Sequence, residues 1–232
     1  MRKKKRIGTE RLHQQVARQI GSAILSGTYA PGVQLNGEVE QSAAMGVSRT
    51  AYREAMKILA AKGLIESRPK AGTHVTPRSR WALLDPDVLA WTFTGKPDPD
   101  YVRDLFELRG IIEPVAAALA ARRRCEAQVA AMRAALAVMG SMGLSTEEGR
   151  AADNDFHRIL LEATGNAVLV SLAGSVGAAV QWTTHFKQQK QIAPRNPLPE
   201  HMALCDAIAD ADPERAQAAM NELLRLALED MA

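Results

Sequence analysis

Gly46-Val47-Ser48 leaves the chain less freedom than any other stretch. A glycine suited to ending one helix and a serine suited to capping the next, one residue apart, demand a tight turn between two helices. The flanking patterns supply those helices. Residues 38–45 predict a short one with Val39 and Ala43 inward; residues 49–62 predict a longer one with Tyr52, Ala55, Met56 and Leu59 as its buried stripe. Upstream, Leu12, Val16, Ile20, Ala23 and Ile24 fall at helical spacing between Thr9 and Ser26, closed by Gly27 and a turn at 29–32. Downstream, residues 64–68 and 73–76 flank the turn Pro69-Lys70-Ala71-Gly72, the pattern of a hairpin. Together these predict a winged helix-turn-helix with a small β-hairpin wing.

The outer face of the third helix carries chemistry. Arg49, Arg53 and Lys57 recur every four residues and so point one way, opposite the apolar stripe. Arginine presents a planar fork that matches guanine N7/O6 or a phosphate. The competing reading is a solvated helix face, which would usually mix signs. The wing tip from Lys70 to Gly72 can enter an adjacent minor groove or touch phosphate. Charge is divided accordingly. Residues 1–80 hold 15 Lys/Arg against 5 Asp/Glu, and residues 81–232 hold 14 against 21, so the chain's net +3 conceals +10 followed by −7. A polyanion is the natural partner of the first part.

Composition excludes several classes. With 232 residues and 47% hydrophobic content the chain can bury one or two cores, which a disordered tail cannot. No apolar run approaches the ~20 residues that cross a bilayer, and the basic residues 1–6 precede no signal-peptide core. Cys125 and Cys205 cannot form a disulfide framework or a zinc knuckle. A soluble protein of the reducing cytoplasm, without a membrane partner, is expected.

After residue 80 the pattern is helical: 101–122, 126–142, 146–164, 166–186, 198–210 and 213–231, alanine-rich with short connections, which predicts an all-α antiparallel bundle. Asp85 is positioned to cap a short helix begun by Pro86. The expected domains are 1–78, a linker over 79–98, and 99–232. Asp153 and His157, four apart, share a helix face; a carboxylate and an imidazole so spaced suit Zn²⁺ or a similar ion, or else form an exposed hydrogen bond. His201, near the start of another helix, can add a third ligand to an open site. Arg109 lies among apolar neighbours, either as the partner of Glu113 or as a clamp for an anionic ligand. Zinc held by Asp and two His also suits water activation in a hydrolase or lyase. The chain offers no obvious general base, phosphate loop or nucleophile elbow for such an enzyme.

Residues 24–32, Leu35, Gly46-Val47-Ser48-Arg49-Thr50, Arg53-Glu54-Ala55, Leu59, Gly63-Leu64-Ile65 and Gly72-Thr73 resemble the GntR family of bacterial transcription regulators. The resemblance implies that Arg49 and Arg53 contact operator DNA, with Ser48 and Thr50 on the backbone and the loop of Lys70 and Gly72 in the groove. Val39 stands where many relatives carry an arginine, and Lys70 where the wing usually has glycine. The stretches Glu107-x-Arg109-x-x-x-Glu113, Asp153-x-x-Phe156-His157, Gly165-Asn166, His201 with Ala207, and Asp212 with Ala216 resemble the FadR-type effector domain, called FCD. That implies a homodimer binding a small organic acid, often beside a divalent metal. By position Asp153, His157 and His201 match three ligands of a divalent metal, zinc being the expected ion, and the family's fourth ligand, a histidine, falls here at Leu223, which cannot coordinate. Arg109 matches a carboxylate clamp. The segment 81–91 is similar to repressors of galactonate and related sugar-acid operons. A repressor, not an enzyme, acting on an inverted-repeat double-stranded operator is implied, with a regulator answering to the metal itself as the alternative.

Overall fold

The computed structural model describes residues 11–69, 71–190 and 194–231. The chain forms two compact units, Met1–Lys96 and Pro97–Ala232, each with its own apolar core.

In the first unit, α1 (Leu12–Leu25) buries Val16, Ile20 and Ile24 of the expected stripe, with Ala17 beside them, while Ala23 is half-buried and Leu12 exposed. Two helices follow, α2 (Glu38–Ala44) and α3 (Arg49–Ala61). Gly46 turns between them with φ +66, a backbone conformation that glycine adopts without steric cost. Ser48 caps α3 by accepting a hydrogen bond from the Ala51 amide at 3.2 Å, and Tyr52, Ala55 and Leu59 are buried as the period predicts. The facing of α2 departs from expectation. Val39 and Ala43 are exposed, and Ser42 is the residue turned inward. Ser42 tolerates that position because its hydroxyl donates to the Val39 carbonyl at 3.2 Å. Strands β1 (Ile65–Arg68) and β2 (Gly72–Val75) pair antiparallel, Ile65 with Val75 and Arg68 with Gly72, forming the wing.

The stretch 79–98, expected as a linker, contains ordered structure belonging to the first unit. After a 3₁₀ turn at Arg78–Arg80, Trp81 and helix α4 (Pro86–Phe93) add Trp81, Val88 and Trp91 to the core. The reason is apolar: two indoles that would otherwise meet water join this core, Trp91 lying against Gly21 of α1. Asp85 caps α4 as expected, accepting from the amides of Asp87 and Val88. Lys62 ties the ends together, its ammonium 2.6 Å from Asp85 and 2.8 Å from Asp87. Packing of α1 on α4 depends on Gly21, where an added Cβ would stand 2.4 Å from the Trp91 ring. Gly21→Ala is therefore expected to destabilise this unit by about 1–3 kcal/mol, read from denaturant melts; unchanged stability would show that the indole can move aside at no cost.

The second unit is all helical: α5 (Pro99–Arg123), α6 (Glu126–Met142), α7 (Glu147–Ala163), α8 (Ala167–Ser171), α9 (Ala173–Lys190), α10 (Leu198–Ala209) and α11 (Pro213–Glu229). The single helix expected over 166–186 is two, broken at Leu172. Asn166 caps the first through the amides of Val168 and Leu169. Alanines at 116, 117, 120 and 121 let α5 lie close to its neighbours α7, α10 and α11, while α7 also packs on α6 and α9. The helices that carry the candidate ligands, α7 and α10, thus both meet α5. Among the described residues no helix is long and apolar enough to cross a membrane.

Candidate nucleic-acid interface and metal centre

In the first unit, Ser48, Arg49, Thr50 and Arg53 stand together on the exposed first two turns of α3. Lys57 continues the face and donates to Glu54 at 2.8 Å. Arg53 does not project alone: its Nε donates to Glu38 Oε2 at 2.7 Å, from the first residue of α2. Glu38 escapes a reading of α3 because it belongs to a different helix; its place directly before the turn-helix pair is the only sequence signal. Val39, next to it, exposes 58% of its surface on the same short helix. Gly72 is exposed at the start of β2 with φ +81. Lys70 lies outside the described residues.

In the second unit, Asp153 and His157 from α7 and His201 from α10 converge, each only 3% exposed. One ligand atom from each lies within 4.8 Å of the others. His201 Nε2 is 3.1 Å and His157 Nε2 3.8 Å from Asp153 Oδ1. The outer nitrogens fix the tautomers. His201 Nδ1 lies 2.8 Å from the Pro197 carbonyl, and His157 Nδ1 lies 3.2 Å from Glu113 Oε2; both oxygens can only accept, so both protons sit on Nδ1. With the imidazoles neutral, that leaves the Nε2 lone pairs facing a carboxylate. Asp153 Oδ1 and His201 Nε2 are accordingly buried without a hydrogen-bond partner.

Two facing acceptors in a dry interior are costly unless a cation joins them. The donor set fits one. Ligand atoms of a tetrahedral zinc site stand about 3.3 Å apart, close to the spacing here, and a carboxylate or carbonyl behind each imidazole is the usual support of a metal-binding histidine.

Charges around the set keep it ionised. Burial pushes the Glu113 carboxyl up, but Arg109 and the hydrogen-bonded His157 outweigh it and bring it to about 2. Burial likewise pushes Asp153 up; a hydrogen bond from a protonated His201, with the positive charge of His201, His157 and Arg109, carries it below its ordinary value, so a proton on His201 Nε2 and a bound cation compete for the same gap. Of the two readings of Arg109, the geometry contains the pairing: its Nε and Nη2 both donate to Glu113, and its guanidinium covers the Phe106 ring at 5.1 Å. Thr184 on α9 donates to Asp153 Oδ2 at 3.3 Å. Neither Thr184 nor the link from Glu113 to His157 is visible in any sequence window, since each joins two helices. Leu223 on α11 is buried in the apolar core.

Residues 12–75 match the family model "Bacterial regulatory proteins, gntR family", and residues 104–226 match the FCD domain. The chain is 34% identical to the uncharacterized HTH-type transcriptional regulator YieP of Escherichia coli K12, covering 90% of this chain and 91% of that one. It is also 34% identical to the galactonate operon transcriptional repressor of the same organism, over 86% of this chain and 88% of the repressor. Among solved structures, that of Lar from Listeria monocytogenes shares the fold, with a TM-score of 0.68 at 19% identity, covering 96% and 97% of the two chains. Matched in order by both models and aligned with such relatives along most of its length, the chain belongs to the GntR family of bacterial regulatory proteins, in its FCD-containing branch, and is a transcription regulator rather than an enzyme.

Proposed function

We propose that the protein is a homodimeric repressor of an organic-acid catabolic operon in the cytoplasm. In this reading a small carboxylate, bound beside a divalent ion in the helical unit, controls operator affinity. The observation that carries it is the facing pair of Asp153 Oδ1 and His201 Nε2, buried and without hydrogen-bond partners. Asp153, His157 and His201 would hold the ion, zinc being the best match to one carboxylate and two imidazoles. When bound, the ion supplies an anchor for a carboxylate and its adjacent hydroxyl, and three protein ligands leave positions open for them. Arg109 adds positive potential beside that anchor. The likeness to the galactonate operon repressor supports a sugar acid as the effector class.

On the DNA side, Arg49 and Arg53 read base edges, Ser48 and Thr50 meet the backbone, and Gly72 lets the wing tip approach a groove. Ile111 and Val115, one turn apart on α5 and 70% and 51% exposed, support a face covered by a second copy. Two copies would then address the two halves of an inverted repeat.

The test is a gel shift with the zinc-loaded protein on DNA from upstream of its own gene, titrated with sugar acids, galactonate first. A change in operator affinity of about 5–150-fold is expected, the usual range of allosteric coupling. His157→Ala and Arg109→Ala should bind the operator normally and ignore the acid. A retained response in both variants would sink the assignment. Release by chelator, with no acid effect, would instead make the metal the signal.

A further inference from the structure

A second buried charged group lies beside the candidate metal set. Lys187 sits on α9 one turn beyond Thr184, on the same buried face, and Thr184 is hydrogen-bonded to Asp153. Its side chain is 9% exposed. The ammonium has three donors yet makes no hydrogen bond among the described residues; its partner is Asp230 Oδ2 at 3.6 Å, beyond hydrogen-bond reach. Burial holds the Lys187 pKa below its ordinary value, with the charges of Asp230 and Asp153 opposing that and Arg109 adding to it. Arg195 approaches the same carboxylate oxygen, its Nε donating at 3.2 Å, while its Nη1 donates to Glu200 at 2.7 Å. Arg195 Nη2 is buried and has no partner. A buried guanidinium nitrogen left unsatisfied, beside an ammonium that its carboxylate partner does not reach, describes an anion position imperfectly filled.

We propose that Lys187 and Arg195 form a second anion-binding position, which Asp230 fills in the ligand-free protein and which the second carboxylate of a dicarboxylate effector takes over. The inference rests on the metal-anchored reading above, because the first carboxylate needs that anchor. Charge supports it. This set of buried and half-buried groups carries three cations, Arg109, Lys187 and Arg195, and four carboxylates, Glu113, Asp153, Glu200 and Asp230. A divalent ion brings it to one positive charge, enough for a monoacid. Should Asp230 swing outward, the set gains a second positive charge, which a dianion neutralises. Asp230 can do so, being the residue that ends α11 and already 16% exposed.

The test uses isothermal titration of the zinc-loaded full-length protein with two matched pairs, malate against lactate and α-hydroxyglutarate against α-hydroxybutyrate. Each pair differs by one carboxylate. The wild type should favour at least one diacid by about tenfold over its partner. Lys187→Gln should erase that preference and leave the monoacid within about twofold. Asp230→Asn, which removes the competing charge, should tighten the diacid several-fold and leave the monoacid unchanged. Circular dichroism and operator binding confirm that both variants fold. No diacid preference in the wild type, or equal loss for both acids in Lys187→Gln, overturns the second position while the metal anchor stands. Binding of neither class of acid, in wild type and His157→Ala alike, overturns both readings.

Discussion

Arg49→Ala is expected to cut discrimination between operator and random DNA by roughly 30-fold or more. Arg49 opens α3, is exposed, and follows the Ser48 cap that fixes where the helix begins, so its guanidinium has a defined origin. A bidentate arginine–guanine contact contributes about 1–3 kcal/mol of discrimination. Two copies on an inverted repeat would lose about 2–6 kcal/mol, roughly 30-fold at the least. Competition gel shifts with operator and scrambled duplexes measure the ratio directly. Lys57→Ala, a residue two turns further along and suited to phosphate, should weaken both duplexes alike and flatten the salt dependence. An Arg49→Ala protein that keeps its preference would remove α3 as the reading element. Arg53 stands differently, because Glu38 already orients and partly neutralises it. Glu38→Gln should therefore raise affinity for any DNA more than it raises preference.

The second large effect concerns the metal set. His201→Ala should lower Zn²⁺ affinity by more than about 100-fold, since removing a supporting partner alone typically costs about 10–100-fold. Glu113→Gln falls in that smaller range, because it touches only the outer nitrogen of His157. Competition with a chromophoric chelator gives both numbers, and metal content after dialysis gives an independent check. The ordering matters more than either value. Equal affinity in wild type and His201→Ala would make the three residues a structural cluster. Zinc at about 100 times its dissociation constant should stabilise the protein by about 2.7 kcal/mol, so chelation should lower the melting temperature of the wild type and not of His201→Ala.

Some of this architecture is written locally. Ser48 and Asp85 act as caps where their side chains and following residues suggest, and α6 spans the expected residues, because caps and apolar periods act within a few positions along the chain. The wing follows for the same reason, a turn between two short alternating segments. Where local signals are weak, the reading misses. With seven residues, α2 makes barely two turns, so contact with α3, and not its own pattern, decided that Ser42 faces inward while Val39 does not. The helix break at Leu172 has no proline to announce it, and the nearest glycine, Gly174, lies inside the helix that follows.

The amino-acid sequence by itself determined the two-part division of charge, the helix-turn-helix with its cationic face, and the three side chains able to bind a metal. Only the tertiary structure decided that those three meet in a dry interior with lone pairs facing one another, that Glu113 supports His157, and that Lys187 and Arg195 gather around Asp230. Local propensities act over one or two turns, whereas the field at a buried charge is set by groups brought from helices far apart in the chain, after packing has removed the water between them.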